Sequence, residues 1–582
     1  MNPQTVLAEV LVDELVRLGV REVVLAPGSR SAPLAYALHA ADAAGRLRMH
    51  VRVDERSAAF LALGLAKATG VPAPVVTTSG TAVANLMPAV LEAHESGVPM
   101  LLLTADRPPE LRGTRANQTT DQPGFFGRAM RWFHDLGVPE ARVGAQAAWR
   151  TSLDRAVAAA TGTTGGDPGP VHLNLPLRDP LPPETEPSGE WPESSSGRPD
   201  GGPWTRVESR ASSPSGPPLP MVARTLVVLG DASPRLLESA LGWARRRGHP
   251  VIGEPFGRID GEGNGVRLPH GVRLAARAEE PDLLPDRIVV VGRLTLSRSL
   301  ARVLRLPDVR VDLVVEDHRW PDPGHVVHVV HGVGALLDPA TDITIDTTTT
   351  GTGTVSEPAG AAGHPSTVAT EFRDAWARAA SEASTQIAAE LRWPSGPALA
   401  AALLRAVPED ALVFLGSSNG VRHVDLVRGG EHVDAAEVVG SRGLAGIDGC
   451  VSTAAGLALA SGRPTYAFLG DLTFLHDANG LLIGPDEPRV DLTIVVGNDD
   501  GGAIFADLEY GRPALRQAFP GVLERVFRTP TGTDVGALCA AHGVRHVEAA
   551  SAEEVAAAVA EVPIGITVVE VPLTLPRRNR RL

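Results

Sequence analysis

Short aliphatic runs that end in glycine, serine or an acid recur along the chain, separated by stretches with apolar residues at helical spacing. The first such stretch, Pro3 to Val20, predicts a helix that stops at Gly19. Glu22–Leu25, Met49–Asp54, Pro74–Thr78 and Met100–Thr104 read as strands, and Val171–Pro176 as the last strand of the unit. Helices are expected between them over Ala32–His39, Ala58–Ala68 and Ala82–Glu92, with Glu55 at the end of the second strand. Strand patterns return at Thr225–Leu229, Arg287–Val291 and Val311–Val315. After a helical stretch over Thr370–Leu391 they resume at Ala411–Leu415, Glu437–Val439, Tyr466–Leu469, Leu492–Val496 and Ile566–Glu570. Strand alternating with helix is the pattern of an open parallel sheet. The expected fold class is therefore α/β, with three domains, each an open mainly parallel sheet flanked by helices.

Two segments break the alternation. Residues 184–221 are rich in Pro, Ser and Gly, and 346–365 begin in a Thr-Gly run, Thr347 to Thr354. Both read as linkers. They divide the chain into a first domain over 1–183, a central one over 222–345 and a third over 366–582. No close sequence repeat is visible, although the first and third units share an architecture.

At 582 residues the chain is too long for a single core. A net charge of −14 argues against nucleic acid and against an anionic membrane surface as partners. An anionic ligand must then be held by locally placed arginines. No run of apolar residues is long enough to span a bilayer, and the N-terminus lacks a signal pattern. The two cysteines, Cys450 and Cys539, form neither a metal pattern nor a disulfide framework. The expectation is a cytoplasmic protein with two buried thiols.

The chemistry concentrates between Gly470 and Phe505. Tyr466–Leu469 ends at Gly470-Asp471, and Leu492–Val496 ends at Gly497-Asn498-Asp499-Asp500-Gly501-Gly502. A Gly-Asp turn after one strand is ordinary turn chemistry. Two such turns on neighbouring strands form a site, because parallel sheets hold ligands beyond their carboxyl ends. Acids beside glycine suit a hard divalent cation and a diphosphate, with backbone amides free to approach. Ala26-Pro-Gly-Ser-Arg30-Ser31 is a second loop with free amides and a cation beside them.

Gly470-Asp471 followed by Asn498 resembles the Gly-Asp-Gly…Asn signature of thiamin diphosphate enzymes, with Leu472 in place of the third Gly and Asp499 where a second Asn is common. More narrowly, six stretches in order resemble the 2-succinyl-5-enolpyruvyl-6-hydroxy-3-cyclohexene-1-carboxylate (SEPHCHC) synthase family of menaquinone biosynthesis. They are Ala26–Ser31; Asp54–Arg56 with Ala62–Ala66; Thr78–Asn85; Thr104–Leu111 with Ala116–Gln118; Ser441–Gly449; and Gly501–Phe505.

The resemblance implies a transferase that decarboxylates 2-oxoglutarate on thiamin diphosphate and adds the resulting carbanion equivalent to isochorismate. It implies Glu55 as the catalytic carboxylate on the cofactor's pyrimidine. Ser79, Gly80, Ser418, Ile447, Gly470, Asp471, Leu472, Thr473 and Asn498 would contact the cofactor, Ile447 as the apolar prop that bends it. Asp471, Asp499 and the Gly501 carbonyl would hold Mg²⁺ or Mn²⁺, with Asn498 open as an alternative to Asp499. Ser29, Arg30, Arg107, Asn117, Gln118, Arg298, Ser418, Arg422 and Arg442 would bind the two dicarboxylate substrates, since guanidinium forks match carboxylates. Ile504 and Phe505 would wall off water. A homodimer or dimer of dimers is implied, with each site between subunits. Alternatives are another thiamin-dependent 2-oxoacid decarboxylase, an acetolactate-type carboligase, or a non-catalytic subunit of the same fold. A nicotinamide-binding reading lacks Gly-x-Gly-x-x-Gly between strand and helix; Gly261–Gly265 reads as a loop with no strand before it.

Overall fold

The computed structural model describes residues 2–185, 191–208, 217–258, 267–337, 366–429 and 436–573. Gly261–Gly265 and Thr347–Thr354 lie outside the described residues.

Three parallel sheets carry the chain. The first contains β1 (Glu22–Leu25), β2 (Arg48–Val51), β3 (Ala73–Thr77), β4 (Met100–Asp106), β5 (Trp132–Asp135) and β6 (Pro170–Pro176), in the order β2-β1-β3-β4-β6-β5. The middle sheet holds β7 (Thr225–Leu229), β8 (Val251–Gly253), β9 (Arg287–Val291), β10 (Arg310–Val315) and β11 (Val329–Gly332), ordered β11-β10-β9-β7-β8. The third holds β12 (Leu412–Leu415), β13 (Glu437–Gly440), β14 (Thr465–Gly470), β15 (Leu492–Asn498), β16 (Arg545–Glu548) and β17 (Ile566–Pro572). Its order, β13-β12-β14-β15-β17-β16, repeats that of the first sheet strand for strand. β3, β7 and β9 are buried along their whole length, as parallel strands covered on both faces must be.

β7 and β9 span the residues that the sequence predicts. β5 and β16 were not expected. They are half-exposed edge strands of mixed composition, Trp-Phe-His-Asp and Arg-His-Val-Glu, without a continuous apolar run. β8 has only three residues, and its place ahead of Gly261 corrects the view that no strand precedes that loop. Val171–Pro176 lies inside the first sheet, between β4 and β5. The helix expected over Ala82–Glu92 is two, Thr81–Ala84 and Met87–Ser96, the second with Pro88 in its first turn. The helix Thr367–Glu390 packs Phe372, Trp376 and Ala379 into the core of the middle sheet.

Strand β2 ends at Val51, so Glu55 does not end a strand; it is the first residue of the helix Glu55–Thr69. The Asp54 carboxylate caps that helix through the Arg56 and Ser57 amides. This helix packs against Cys450–Ser461, its topological counterpart in the third domain. Contact is close because both carry glycine. A Cβ on Gly64 would lie 2.2 Å from the Thr453 carbonyl oxygen, and one on Gly456 2.3 Å from that of Leu61. Buried carboxylates join the two domains further. Asp477 accepts from Ser57 Oγ at 3.1 Å and from the Ser452 amide at 2.7 Å, and Glu92 accepts from the Gly443 and Leu444 amides, both at 2.7 Å.

Residues 191–208 of the 184–221 linker lie along the first domain as a strap, whereas Leu219 packs in the core of the middle sheet. Arg150 pairs with Glu14, whose other oxygen accepts from the Trp204 amide, and Asp154 accepts from the Thr205 amide at 2.7 Å. Burial, then the Glu14 carboxylate beside it, push Asp154 up to about 7.

Gly456→Val should cost about 1–3 kcal/mol through overpacking, read as a lower thermal midpoint. Asp154 has a raised folded-state pKa, so its favourable protonated form is lost as pH rises. The thermal midpoint of Asp154→Asn should gain on the wild type from about pH 4 to about pH 7 and hold a constant lead above that; a lead independent of pH would count against the shift.

Candidate active site

Strands β14 and β15 are paired so that Gly470 lies opposite Gly497. Their ends therefore bring Asp471, first residue of the helix Asp471–His476, beside Asp499. Asp471 is 4% exposed and its Oδ2 accepts from the Gly501 amide at 2.7 Å. Burial raises its carboxyl above the usual range. Burial and the Asp471 charge push Asp499 up to about 7. Asp499 Oδ1 is buried without a hydrogen-bond partner. A buried acid and a half-buried one with an orphaned buried oxygen form a donor set that suits a hard cation. Among the described residues no three His, Cys, Asp or Glu side chains gather as a metal group. Further ligands would have to be backbone, water or phosphate oxygens.

Asn498 is occupied elsewhere. Its Nδ2 donates to Glu570 at 2.6 Å and its Oδ1 accepts from the Asp500 amide at 2.9 Å. His546 holds the other Glu570 oxygen at 2.9 Å. Gly501 needs its glycine, since φ is +133° and a Cβ would lie 2.4 Å from the Arg528 carbonyl oxygen. The Gly501 carbonyl accepts from the Ala503 amide at 3.1 Å. Leu472 takes ordinary helical geometry, and Thr473 beside it is buried.

The first domain gathers a second group beyond β1, β3 and β4. Arg107 Nη1 donates to Ser79 Oγ at 2.6 Å, and Ser79 Oγ donates to the Gln118 carbonyl at 2.9 Å. Gln118 Nε2 returns a bond to the Ser79 carbonyl at 3.0 Å. Burial, then the charge of Arg30, lower the Arg107 pKa. Arg30 itself donates to the Leu177 carbonyl at 2.9 Å and pairs with Asp179 at 3.6 Å. Ser29, Asn117 and Gln118 are exposed around this group. Sequence reasoning missed Gln122, a fully buried amide that accepts from Gly80 N at 3.0 Å and donates to Asn174. Its only signal is a polar residue shortly after the Asn117-Gln118 motif.

A third group lies where the middle and third domains meet. Ser418 adopts φ +82°, a strained conformation for a residue with a Cβ, and its carbonyl accepts from Arg422 at 2.6 Å. Arg442 is 5% exposed and donates from Nε and Nη2 to Thr295 Oγ1 and O, at 3.0 and 2.9 Å. Arg298 differs: its side chain is 81% exposed and pairs with Glu509 at 3.5 Å. Helix Ile504–Asp507 carries Ile504 and Phe505, and the Phe505 ring lies 5.6 Å from that of Phe527. Ile447 is half-buried in the loop that follows Arg442.

Glu55, also half-buried, stands at a helix start whose neighbours reach residues 476–479. Arg56 donates to the His476 carbonyl at 2.7 Å, and Asn479 to Asp54 at 2.8 Å. Among the described residues no hydrogen bond joins Glu55 to Asp471 or Asp499, and none joins the Arg30–Arg107 pair to Arg298, Arg422 or Arg442.

Residues 5–125 match the thiamine pyrophosphate enzyme N-terminal TPP binding domain. The benzoylformate decarboxylase of Polynucleobacter necessarius superposes with a TM-score of 0.63 over 98% of this chain and 99% of its own. At 18% identity it shows the fold alone. The SEPHCHC synthase of Saccharopolyspora erythraea is 47% identical across 98% of this chain and 96% of its own length. That of Rhodococcus erythropolis is 44% identical across 98% and 97%. Full-length similarity of this order, on a three-sheet scaffold with the acidic loops in place, makes the chain a member of the 2-succinyl-5-enolpyruvyl-6-hydroxy-3-cyclohexene-1-carboxylate synthase family.

Proposed function

We propose that this chain joins 2-oxoglutarate, less its carboxylate as CO₂, to isochorismate, giving SEPHCHC in menaquinone biosynthesis. The carrying observation is the orphaned Asp499 oxygen beside the buried Asp471 at the ends of β14 and β15, with Arg422 and Arg442 following β12 and β13 of the same sheet and Arg30 and Arg107 following β1 and β4 of the first. Thiamin diphosphate, when bound, supplies the acidic carbon on which a 2-oxo acid is decarboxylated and its remainder transferred. The orphaned Asp499 oxygen beside Asp471 fits Mg²⁺ or Mn²⁺ there, with the Gly501 carbonyl and diphosphate oxygens as further ligands. Asp499 takes precedence over Asn498, whose side chain is already bonded to Glu570.

Glu55 would hold a proton between its carboxylate and the pyrimidine nitrogen, fixing the tautomer that makes the cofactor basic. Arg30 and Arg107 on one side, and Arg422 and Arg442 on the other, would take substrate carboxylates and offset the net charge of −14. Ser29, Asn117, Gln118 and Ser418 would add polar contacts, and Arg298 would reach in from the rim. Ile504 and Phe505 would keep water away from the reacting carbon. Arg30 and Arg107 follow strands of the first sheet and Arg422 and Arg442 strands of the third, an arrangement that supports a site completed by a second copy.

A small neutral acceptor needs no such cluster, which counts against an acetolactate-type reaction. With thiamin diphosphate and Mg²⁺, the purified protein should consume isochorismate only when 2-oxoglutarate is present, and chelation should abolish turnover. Equal use of pyruvate as donor would overturn the assignment. Glu55→Gln should lower kcat by about 10²-fold or more while leaving the circular dichroism spectrum and thermal midpoint unchanged; wild-type turnover in that variant would remove Glu55 from its role.

A further inference from the structure

Glu254 directly follows β8, at the carboxyl end of the middle sheet, where open parallel sheets hold ligands. It is 1% exposed. Here the carboxylate is filled by protein. The Thr295, Leu296 and Ser297 amides donate to Oε1 at 2.8, 2.5 and 3.1 Å. The Thr295 amide and hydroxyl both lie 3.0 Å from Oε2. A carboxylate only accepts, so the single hydroxyl proton of Thr295 is committed to it. That leaves the lone pairs of Thr295 Oγ1 facing Arg442 Nε at 3.0 Å, with the Thr295 carbonyl taking Nη2 at 2.9 Å. Ser297, in the same loop, caps the helix that Arg298 begins.

One buried acid thus shapes the loop that orients Arg442 and starts the Arg298 helix. It is also among the charges that act on both Arg422 and Arg442. Like-charged guanidinium groups repel when crowded, and a fixed anion beneath them offsets that cost. From the first domain, Glu92 holds the same arginine's loop by the Gly443 and Leu444 amides. Arg442 therefore stands at a junction of all three domains, clamped from two of them.

We propose that Glu254 is a positioning residue for substrate binding: through Thr295 it presets the Arg442 guanidinium to receive a substrate carboxylate. This rests on the reading that Arg422 and Arg442 bind substrate. A plain loop anchor would affect stability and nothing else.

In Glu254→Ala the KM for isochorismate or 2-oxoglutarate should rise about tenfold, the size of one weakened charge-assisted hydrogen bond. Its kcat should stay within about twofold and thiamin diphosphate affinity should not move. Glu254→Asp keeps an acceptor-only group and should recover part of the loss. Thr295→Val carries the test if the alanine variant does not fold, with a KM increase of about threefold or more. A crystal structure of the altered protein should show the Arg442 guanidinium displaced from residue 295. Unchanged KM values in a folded variant would overturn the proposal. So would a parallel loss of kcat and cofactor affinity, or both bonds from Arg442 to residue 295 surviving in Glu254→Ala. If the wild type does not convert isochorismate, the functional reading falls, and the placement of Arg442 in the variant decides the role of Glu254 by itself.

Discussion

Everything in this molecule depends on how closely the first and third domains approach through the helices Glu55–Thr69 and Cys450–Ser461. At Gly64 and Gly456 the backbones touch with no side chain between them, a separation that any Cβ would forbid. That contact places the helix start at Glu55 against residues 476–479, a short helix away from Asp471. Buried carboxylates then lock the register. Asp477 and Glu92 each accept from both sides of the interface or from a loop across it, and an acid removed from water is tolerated only when such donors surround it.

The same rule runs through the functional loops. Glu254 is satisfied by amides and a hydroxyl, Asp477 by an amide and a hydroxyl, and Glu570 by Asn498 and His546. Asp499 breaks it, with one buried oxygen left without a donor. Asp154 Oδ1 shares that state, but only Asp499 has it at the paired ends of β14 and β15.

Much of this was legible in the sequence, for physical reasons. Central parallel strands such as β7 and β9 are apolar on both faces, so they appear as unbroken aliphatic runs at their true limits. Edge strands β5 and β16 are half-wet and carry no such run. The end of β2 was misplaced by three residues because Asp54, a helix cap, follows a run of alternating residues and looks like its continuation. The loops around Gly470 and Gly501 are legible because two glycine–acid turns fall at the ends of neighbouring strands, which a single turn would not reveal. Gln122, Glu92 and Glu254 are not, since a single polar residue acquires its meaning only from backbone amides far away in sequence. Arg298 is read into the site from its neighbours in sequence; its side chain is exposed, pairs with Glu509 and acts on Arg422 by its charge.

The strand order shared by the first and third sheets means that the loop after β3, with Ser79-Gly80, and the loop after β14, with Gly470-Asp471, occupy equivalent places on two copies of one scaffold. One copy presents a hydroxyl and an arginine, the other a pair of acids. Such a duplicated frame lets one architecture present two different chemistries at equivalent strand ends. The two halves can therefore diverge in the side chains at their strand ends while the strand order beneath them stays the same.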